Sequence, residues 1–488
     1  MDAAQGRLFV VSNRLPVHID GQGDQLTLNP SSGGLVTALK AVLRDQKVVW
    51  VGWPGAERSE MVESLLVDAA ASLPYTLEPV FLSPEEVNGF YCGFSNEVVW
   101  PLFHDLQSRC NFDPGYWQTY QEVNRKFALA VSRLVTAEDF VWVHDYHLML
   151  VAEYLRKMGV NSTLGFFQHI PFPPAEIFEK LPWRSQILRS LLEFDVVGFQ
   201  TLRDRRNFNA AIRALVSGVE IRRTGERFSL QLKGHRCASG HFPISIDFAG
   251  FAADADTAEV AQQAEQIKGE LRGVQIVLGV DRLDYTKGVP ERLRAFDFML
   301  RKYPDLRHRI TMVQVVVPSR EDIPNYQGLK TEIEGMVSRI NGEFAQPGWV
   351  PIHYLHRHLS RLELLAYYRS ADIALVTPLK DGMNLVAKEF CACQVENRGV
   401  LILSEFAGAA SDLSSSVLLV NPYDVDAVAD AIHEAFCMDA GERQRRMVHL
   451  RQIISRNDVY RWADSFLRAA AAVHLPRIIR ARPVGRAA

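Results

Sequence analysis

Short apolar runs that each end in a polar tip, separated by stretches of helical periodicity, recur along the whole chain and fix its fold class. Phe140-Val141-Trp142-Val143 leads into His144-Asp145-Tyr146-His147, and Thr163-Leu164-Gly165-Phe166-Phe167 into Gln168-His169-Ile170-Pro171-Phe172-Pro173. Val196-Val197-Gly198-Phe199 leads in the same way into Gln200-Thr201. Runs that are apolar without alternation suit strands buried on both faces, as in a parallel sheet covered by helices. Helices expected at 116–134, 147–158, 184–192 and 203–217 supply the right-handed crossovers such a sheet needs. The opening run from Arg7 to Asn13, ending at Arg14, is the first strand; Val48–Trp53 and Val80-Phe81-Leu82 are further strand candidates.

From Glu220 to Pro243 the pattern loosens into short polar strands, and Ile244-Ser245-Ile246-Asp247 leads into an alanine-rich acidic helix. A second series then begins at Val274–Val280, with the tip Asp281–Gly288, and continues through Ile310–Val317, Ile352–Leu355, Asp372–Pro378, Gly399–Ser404 and Val417–Val420. At 488 residues the chain exceeds one ordinary core. The expectation is an α/β protein of two Rossmann-like halves, residues 1–247 and 248–455. Residues 456–488 should form a helix packing back on the first half and a basic tail. A cleft between the halves is the expected ligand site.

The chemistry gathers at the strand tips. Asp381-Gly382-Met383-Asn384-Leu385-Val386-Ala387-Lys388-Glu389 follows a buried strand and opens a helix. The first amides of a helix lack partners and favour an anion, while Glu389 could accept hydrogen bonds from a sugar diol. Ser31-Ser32-Gly33-Gly34 also opens a helix, either as a capping turn or as a close approach for a diphosphate. Arg282 and Lys287, five apart after a strand, suit a leaving diphosphate, because converging cations offset charge that grows in the transition state. Arg320 is a third phosphate-type group at a strand tip. Asp145 could bind sugar hydroxyls, act as nucleophile or base, or cap the following helix. The aromatic-rich stretch from Phe90 to Trp100 reads as a loop, either core or a sugar-binding wall.

Several classes drop out. A formal net charge of −3 argues against nucleic acid or anionic membrane as a partner. No apolar run reaches membrane-spanning length and Met1–Arg7 lacks a signal-peptide pattern, so a cytoplasmic protein is expected. Cysteines 92, 110, 237, 391, 393 and 437 form no CxxC pair and read as reduced thiols. His144 and His147 straddle a strand end, and His353, His356 and His358 lack a completing ligand, so no metal site is expected. The glycines at 21 and 23 lack the third glycine and the helix of a dinucleotide fingerprint.

In combination, Ser12-Asn13-Arg14, Ser32-Gly33-Gly34-Leu35, Tyr91 with Phe94-Ser95-Asn96 and Trp100, and Trp142–His147 resemble the trehalose-6-phosphate synthases. His169–Pro173, Arg282–Gly288, Ser319-Arg320, Asp381–Glu389 and Glu405–Ala410 extend the resemblance to about residue 470. That family comprises retaining glycosyltransferases of the GT-B fold, and the resemblance implies transfer of glucose from UDP-glucose to glucose 6-phosphate. It implies that Arg14, Tyr91, Trp100, Asp145 and Arg320 bind the acceptor. Gly33, Gly34, Arg282, Lys287, Leu359, Leu385, Val386, Ala387, Lys388 and Glu389 would bind the donor. Arg282, Lys287, Asp381 and His169 would carry the catalytic roles, with no metal or cofactor. It leaves open a homo-oligomer, dimer or tetramer. With Asp145 assigned to the acceptor, no carboxylate remains as nucleophile, which favours front-face attack through an oxocarbenium-like state. The segment between Arg14 and Gly33 is longer than in the shortest members and reads as an exposed hairpin. The rival activities are glucosylglycerol-phosphate synthesis from ADP-glucose and glycerol 3-phosphate, and a catalytically silent sugar-phosphate sensor.

Overall fold

The computed structural model describes residues 6–20, 26–30, 34–43, 47–71, 73–225, 227–271, 273–319 and 324–474. Two sheets organise them. The first runs, edge to edge, Thr76–Pro79, Val48–Trp53, Leu8–Arg14, Phe140–His144, Thr163–Gln168, Val196–Phe199, His235–His241, Arg227–Leu232 and Glu220–Thr224. Its first seven strands are parallel, and the last two are added as antiparallel ribbons. The second is wholly parallel, in the order Ile352–Leu355, Ile310–Val317, Gln275–Arg282, Ile373–Val376, Val400–Ser404 and Leu418–Val420.

Both strand orders reverse direction once. In the first sheet the chain builds outward from Leu8–Arg14 on one side, then crosses to its other side at Phe140–His144. In the second it builds outward from Gln275–Arg282 and crosses to Ile373–Val376. Diverging connections leave a crevice at the carboxyl ends of such strands, where ligands of open α/β sheets bind. Arg14 and Asp145 flank the first crevice, Arg282 and Asp381 the second.

The apolar runs form these strands because both sheet faces are covered: Phe9, Val10, Val11, Val141, Trp142 and Val143 are all fully buried. The chain passes between domains at Pro243–Asp247 and returns at Asn457–Asp458, where Val459 N donates to Ile246 O at 3.0 Å. The helix Val459–His474 then packs on the first sheet. Phe466 stacks on Trp142 with centroids 4.8 Å apart, in a groove that exists because residues 165 and 198 are glycines. A Cβ on either would come within 3.0 Å of the Phe466 ring.

Two local expectations need correction. The edge strand is Thr76–Pro79, not Val80–Leu82: an edge strand is half-buried, so polar Thr76 and Glu78 are tolerated, while Val80 and Leu82 pack into the core beyond it. Residues 87–99 form a π-helix rather than a loop, closed at its end by Trp100 N–H to Ser95 O. Gly89 and Gly93 interrupt its apolar positions (Phe90, Phe94, Val98, Val99), and glycine disfavours a helix, which is why the stretch reads as a loop. The expected hairpin before Gly33 is present as Val17–Asp20 paired with Thr27–Pro30, its turn lying outside the described residues. Among the described residues no helix is long and apolar enough to cross a membrane.

Candidate active site

On the first-domain rim, the Arg14 guanidinium carbon lies 3.9 Å from the Trp53 ring centroid and 5.9 Å from that of Tyr91. Gly55, at φ +90°, leaves it room, since a Cβ there would overlap Arg14 Nη1. Arg14 reaches solvent, yet the surrounding wall desolvates it enough to lower its pKa, with Tyr91 and Cys92 opposing. A guanidinium stays charged regardless, so this is a cation held between aromatic faces. The π-helix delivers Tyr91, which stacks on His147 with centroids 6.0 Å apart. Asp145 holds φ +72° and ψ 169°, a conformation that costs a non-glycine residue about 1–3 kcal/mol. Its carboxylate caps no helix; Oδ1 instead accepts from His169 N at 3.1 Å, fixing it between two strand ends.

His169 Nε2 lies 3.1 Å from His144 Nδ1. Burial lowers His169 to about 3, and burial followed by repulsion from His169 lowers His144 well below its ordinary range, so both rings are neutral at working pH. His144 Nε2 is buried without a partner among the described residues. An orphaned lone pair costs less than an orphaned N–H, so His144 Nδ1–H donates to His169 Nε2. That leaves Nδ1–H as the ring donor of His169. Trp100 is a buried layer beneath this rim, its ring 4.3 Å from His104 and 5.8 Å from Tyr146.

On the second-domain rim, Lys287 Nζ donates to Asp381 Oδ2 at 2.5 Å, and Asn384 Nδ2 reaches the same oxygen at 3.2 Å. Burial pushes the Asp381 carboxyl up, but Lys287, then His104 and Asn384, outweigh it and hold it below its ordinary value. Lys287 thus pairs with Asp381, while the nearer acids are occupied elsewhere. Asp281 pairs with buried Arg292, and Asp284 Oδ1 accepts from Thr286 N and Oγ1 at 3.0 and 2.9 Å. Arg282 is exposed and makes no ion pair among the described residues.

Asn384 caps the helix Leu385–Cys393 from a left-handed conformation, φ +74°, accepting from Ala387 N at 3.3 Å. The amides of Leu385 and Val386 have no acceptor among the described residues, which makes this helix start an open anion site. One turn on, Glu389 Oε2 accepts from Tyr368 OH at 2.9 Å, and burial raises its pKa. Leu359, Leu385 and Val386 are half-buried against the second core. The Lys388 ammonium faces away from the open amides. It is buried and donates to Ile244 O at 2.9 Å, with Asp412 Oδ2 at 3.5 Å, bracing the helix Leu385–Cys393 against the interdomain passage. Gly34 begins the helix Gly34–Val42; Gly33 and Arg320 lie outside the described residues.

The rims meet. Gly382 packs so tightly on the His169 carbonyl that a Cβ there would overlap the oxygen. Lys380 Nζ bonds Asp105 Oδ2 at 2.5 Å across the cleft, and the Arg109 guanidinium lies 4.7 Å from the Tyr285 ring centroid. His104 also faces the other domain: burial lowers its pKa to about 4, with Asp284 and Asp381 raising it and Lys287 lowering it. Its Nδ1 lies 2.7 Å from Trp100 O, an acceptor only, so Nδ1 carries the proton. Sequence reading missed His104, although its position four residues after Trp100 on one helical turn was a usable signal. It missed Trp53, Asn384 and Tyr368 as well. Among the described residues no three His, Cys, Asp or Glu side chains converge on a metal position.

Residues 6–472 match the profile of Glycosyltransferase family 20. The chain is 41% identical over 469 residues to the alpha,alpha-trehalose-phosphate synthase (UDP-forming) A of Dictyostelium discoideum, 95% of this chain and 62% of that relative. It therefore spans less than two thirds of that relative's length. A solved Escherichia coli structure bound with UDP-2-fluoro glucose superposes with a TM-score of 0.86 at 36% identity, covering 96% of this chain and 100% of the other. The alpha,alpha-trehalose-phosphate synthase (UDP-forming) from Burkholderia xenovorans, in complex with glucose-6-phosphate, gives 0.86 at 34% identity, with coverage of 96% and 100%. With two Rossmann-like sheets facing across one cleft in the GT-B arrangement, the chain belongs to glycosyltransferase family 20.

Proposed function

We propose that the protein transfers glucose from UDP-glucose to the anomeric hydroxyl of glucose 6-phosphate with retention, giving trehalose 6-phosphate and UDP. The observation that carries this reading is the contact of Gly382 with the His169 carbonyl, which sets an anion-binding helix start against a rim bearing Arg14, Tyr91 and Asp145. The names of the relatives and the ligands in the solved neighbours support the same substrates.

This reading gives each residue a role. Residues 1–247 form the acceptor half: Arg14 grips the sugar phosphate, joined from the other half by Arg320, while Asp145 and Tyr91 orient the ring. Residues 248–455 form the donor half. The amides of Leu385 and Val386 take the diphosphate, Glu389 takes the ribose hydroxyls, and Leu359 borders the base. Asp381 and the neutral His169 N–H hold the transferring glucose. As the C1–oxygen bond to the β-phosphate breaks, charge gathers on the leaving diphosphate, where Arg282 and Lys287 stabilise it by about 3 kcal/mol each. The acceptor hydroxyl attacks C1 from the same face, and its proton passes to the departing phosphate oxygen, so configuration is kept without a protein nucleophile.

The test is nucleotide release measured with UDP-, ADP- and GDP-glucose against glucose 6-phosphate and glycerol 3-phosphate. Release should need glucose 6-phosphate, with UDP-glucose preferred. Turnover that runs on ADP-glucose and glycerol 3-phosphate alone would replace this reading with the rival synthase, and no turnover with any pair would favour the sensor.

A further inference from the structure

Away from the cleft, a cavity of about 270 Å³ lies where the chain changes domains, walled by Arg227, His241, Pro243, Asp458, Arg461 and Trp462. Both interdomain passages border it, the outgoing one at Pro243 and the returning one at Asp458. Neither arginine pairs with a carboxylate among the described residues. Arg227 lies 6.0 Å from the Phe242 ring centroid, and Arg461 gives one N–H to Arg456 O at 3.2 Å. Trp462 is 2% exposed, and its indole N–H has no acceptor among the described residues. An orphaned buried donor is costly, and two unpaired guanidiniums on one small cavity are a phosphate-type recognition set. Asp458, which accepts from Arg461 N at 3.0 Å, adds an acceptor for a hydroxyl. The volume lies below that of ordinary drug-sized pockets, which excludes a dinucleotide.

We propose that this cavity is an effector site for a small phosphorylated polyol, and that its occupancy sets the relation between the two domains. Two paths lead from it to the cleft. The Trp462 ring meets His169 edge-on at 6.3 Å and Phe167 at 5.2 Å. One residue after Pro243, Ile244 O holds the Lys388 ammonium of the donor helix. A ligand that binds more tightly when the domains are closed therefore shifts the population toward the arrangement in which Gly382 meets His169. His241 and Pro243 also line a second interdomain cavity that reaches Asp381, so the hinge wall and the catalytic loop share a surface.

The probes are radiolabelled inorganic phosphate in equilibrium dialysis and sorbitol 6-phosphate, which has no anomeric hydroxyl, in steady-state assays at saturating glucose 6-phosphate. The full-length protein is compared with Arg227→Ala/Arg461→Ala and with Arg461→Glu, whose parent side chain is exposed. Wild type should bind one equivalent of phosphate that both variants bind at least tenfold more weakly. Sorbitol 6-phosphate should change the wild-type KM for UDP-glucose several-fold and leave the variants unmoved. In phosphate-free buffer all three should share kcat and KM. Identical phosphate isotherms overturn the site. A sorbitol 6-phosphate effect absent from wild type, or persisting in the variants, overturns its role as an effector site.

Discussion

Gly382→Ala isolates domain closure from every other property of the site. Gly382 does not occupy the left-handed region, so alanine carries no backbone penalty there. The added methyl overlaps the His169 carbonyl oxygen and lies 3.1 Å from both His169 C and Ile170 Cα. These are backbone atoms of the other domain, so no rotamer change relieves the overlap. Ordinary carbon contacts begin near 3.5 Å, so the cleft must open by about 1 Å, a displacement that costs about 100-fold in rate, or about 2.7 kcal/mol of transition-state stabilisation. Both cores are untouched, so the melting temperature should move by less than about 2 °C. UDP affinity should stay within about threefold of wild type, since the open amides and Glu389 belong to one domain. The assays are coupled UDP release, thermal melting and calorimetric titration of UDP. A kcat within about threefold of wild type would refute the view that this contact belongs to the working geometry; a fall in melting temperature above about 8 °C would assign Gly382 a structural role instead.

Lys287→Ala should lower kcat by about 100-fold or more with little change in the KM for glucose 6-phosphate; comparable losses in both would count against its role on the leaving group. Arg14→Ala should instead raise the acceptor KM at least tenfold, and an unchanged KM in initial-rate assays would sink that assignment. In its proposed role Glu389 accepts from both ribose hydroxyls best as a carboxylate, because protonation turns one oxygen into a donor, and burial raises its pKa. UDP affinity should therefore decline on acidification at a higher pH than the ordinary glutamate value of about 4.3, and Glu389→Gln should bind weakly at every pH; calorimetry across pH 4–8 decides. His104 is held neutral with a folded pKa of about 4 against an ordinary 6.5. Its unfolded form takes up a proton first as pH falls, so stability is lost between pH 6.5 and 4, by about 3 kcal/mol in all. His104→Gln should shrink the difference between urea midpoints at pH 7 and pH 4.5; an equal difference in both proteins would refute it.

The sequence was most readable where both faces of an element are buried. Strands such as Phe140–His144 and Ile373–Val376 lie in central positions and show as unbroken apolar runs. The edge strand Thr76–Pro79 needs to bury only part of its surface, so its pattern carried no such signal. The π-helix escaped because Gly89 and Gly93 interrupt its apolar positions, and glycine disfavours a helix. At the site, the helix start at Leu385 was legible because it is local: one strand, one polar loop and one helix, contiguous in the chain. What could not be read is what the side chains meet across long separations. Lys388 looks like a ligand group in its motif, yet its partner Ile244 is 144 positions away. The same holds for Gly382 against His169, and for Trp462 against the histidine it abuts.

The return helix has a consequence for biosynthesis. Phe466 and Trp462 cover Trp142, Phe167, Gly165, Gly198 and Phe242, all made well over a hundred residues earlier in the chain. Until the last fifteen or so residues of the described chain leave the ribosome, that aromatic groove on the first sheet has no cover. At a synthesis rate of about 5–20 residues per second, it stays uncovered for about 10–50 s after the sheet's own strands are complete. The first domain is thus written first and finished last, and a chain stopped at residue 458 leaves the nascent-chain quality-control machinery facing an open greasy seam rather than half an enzyme.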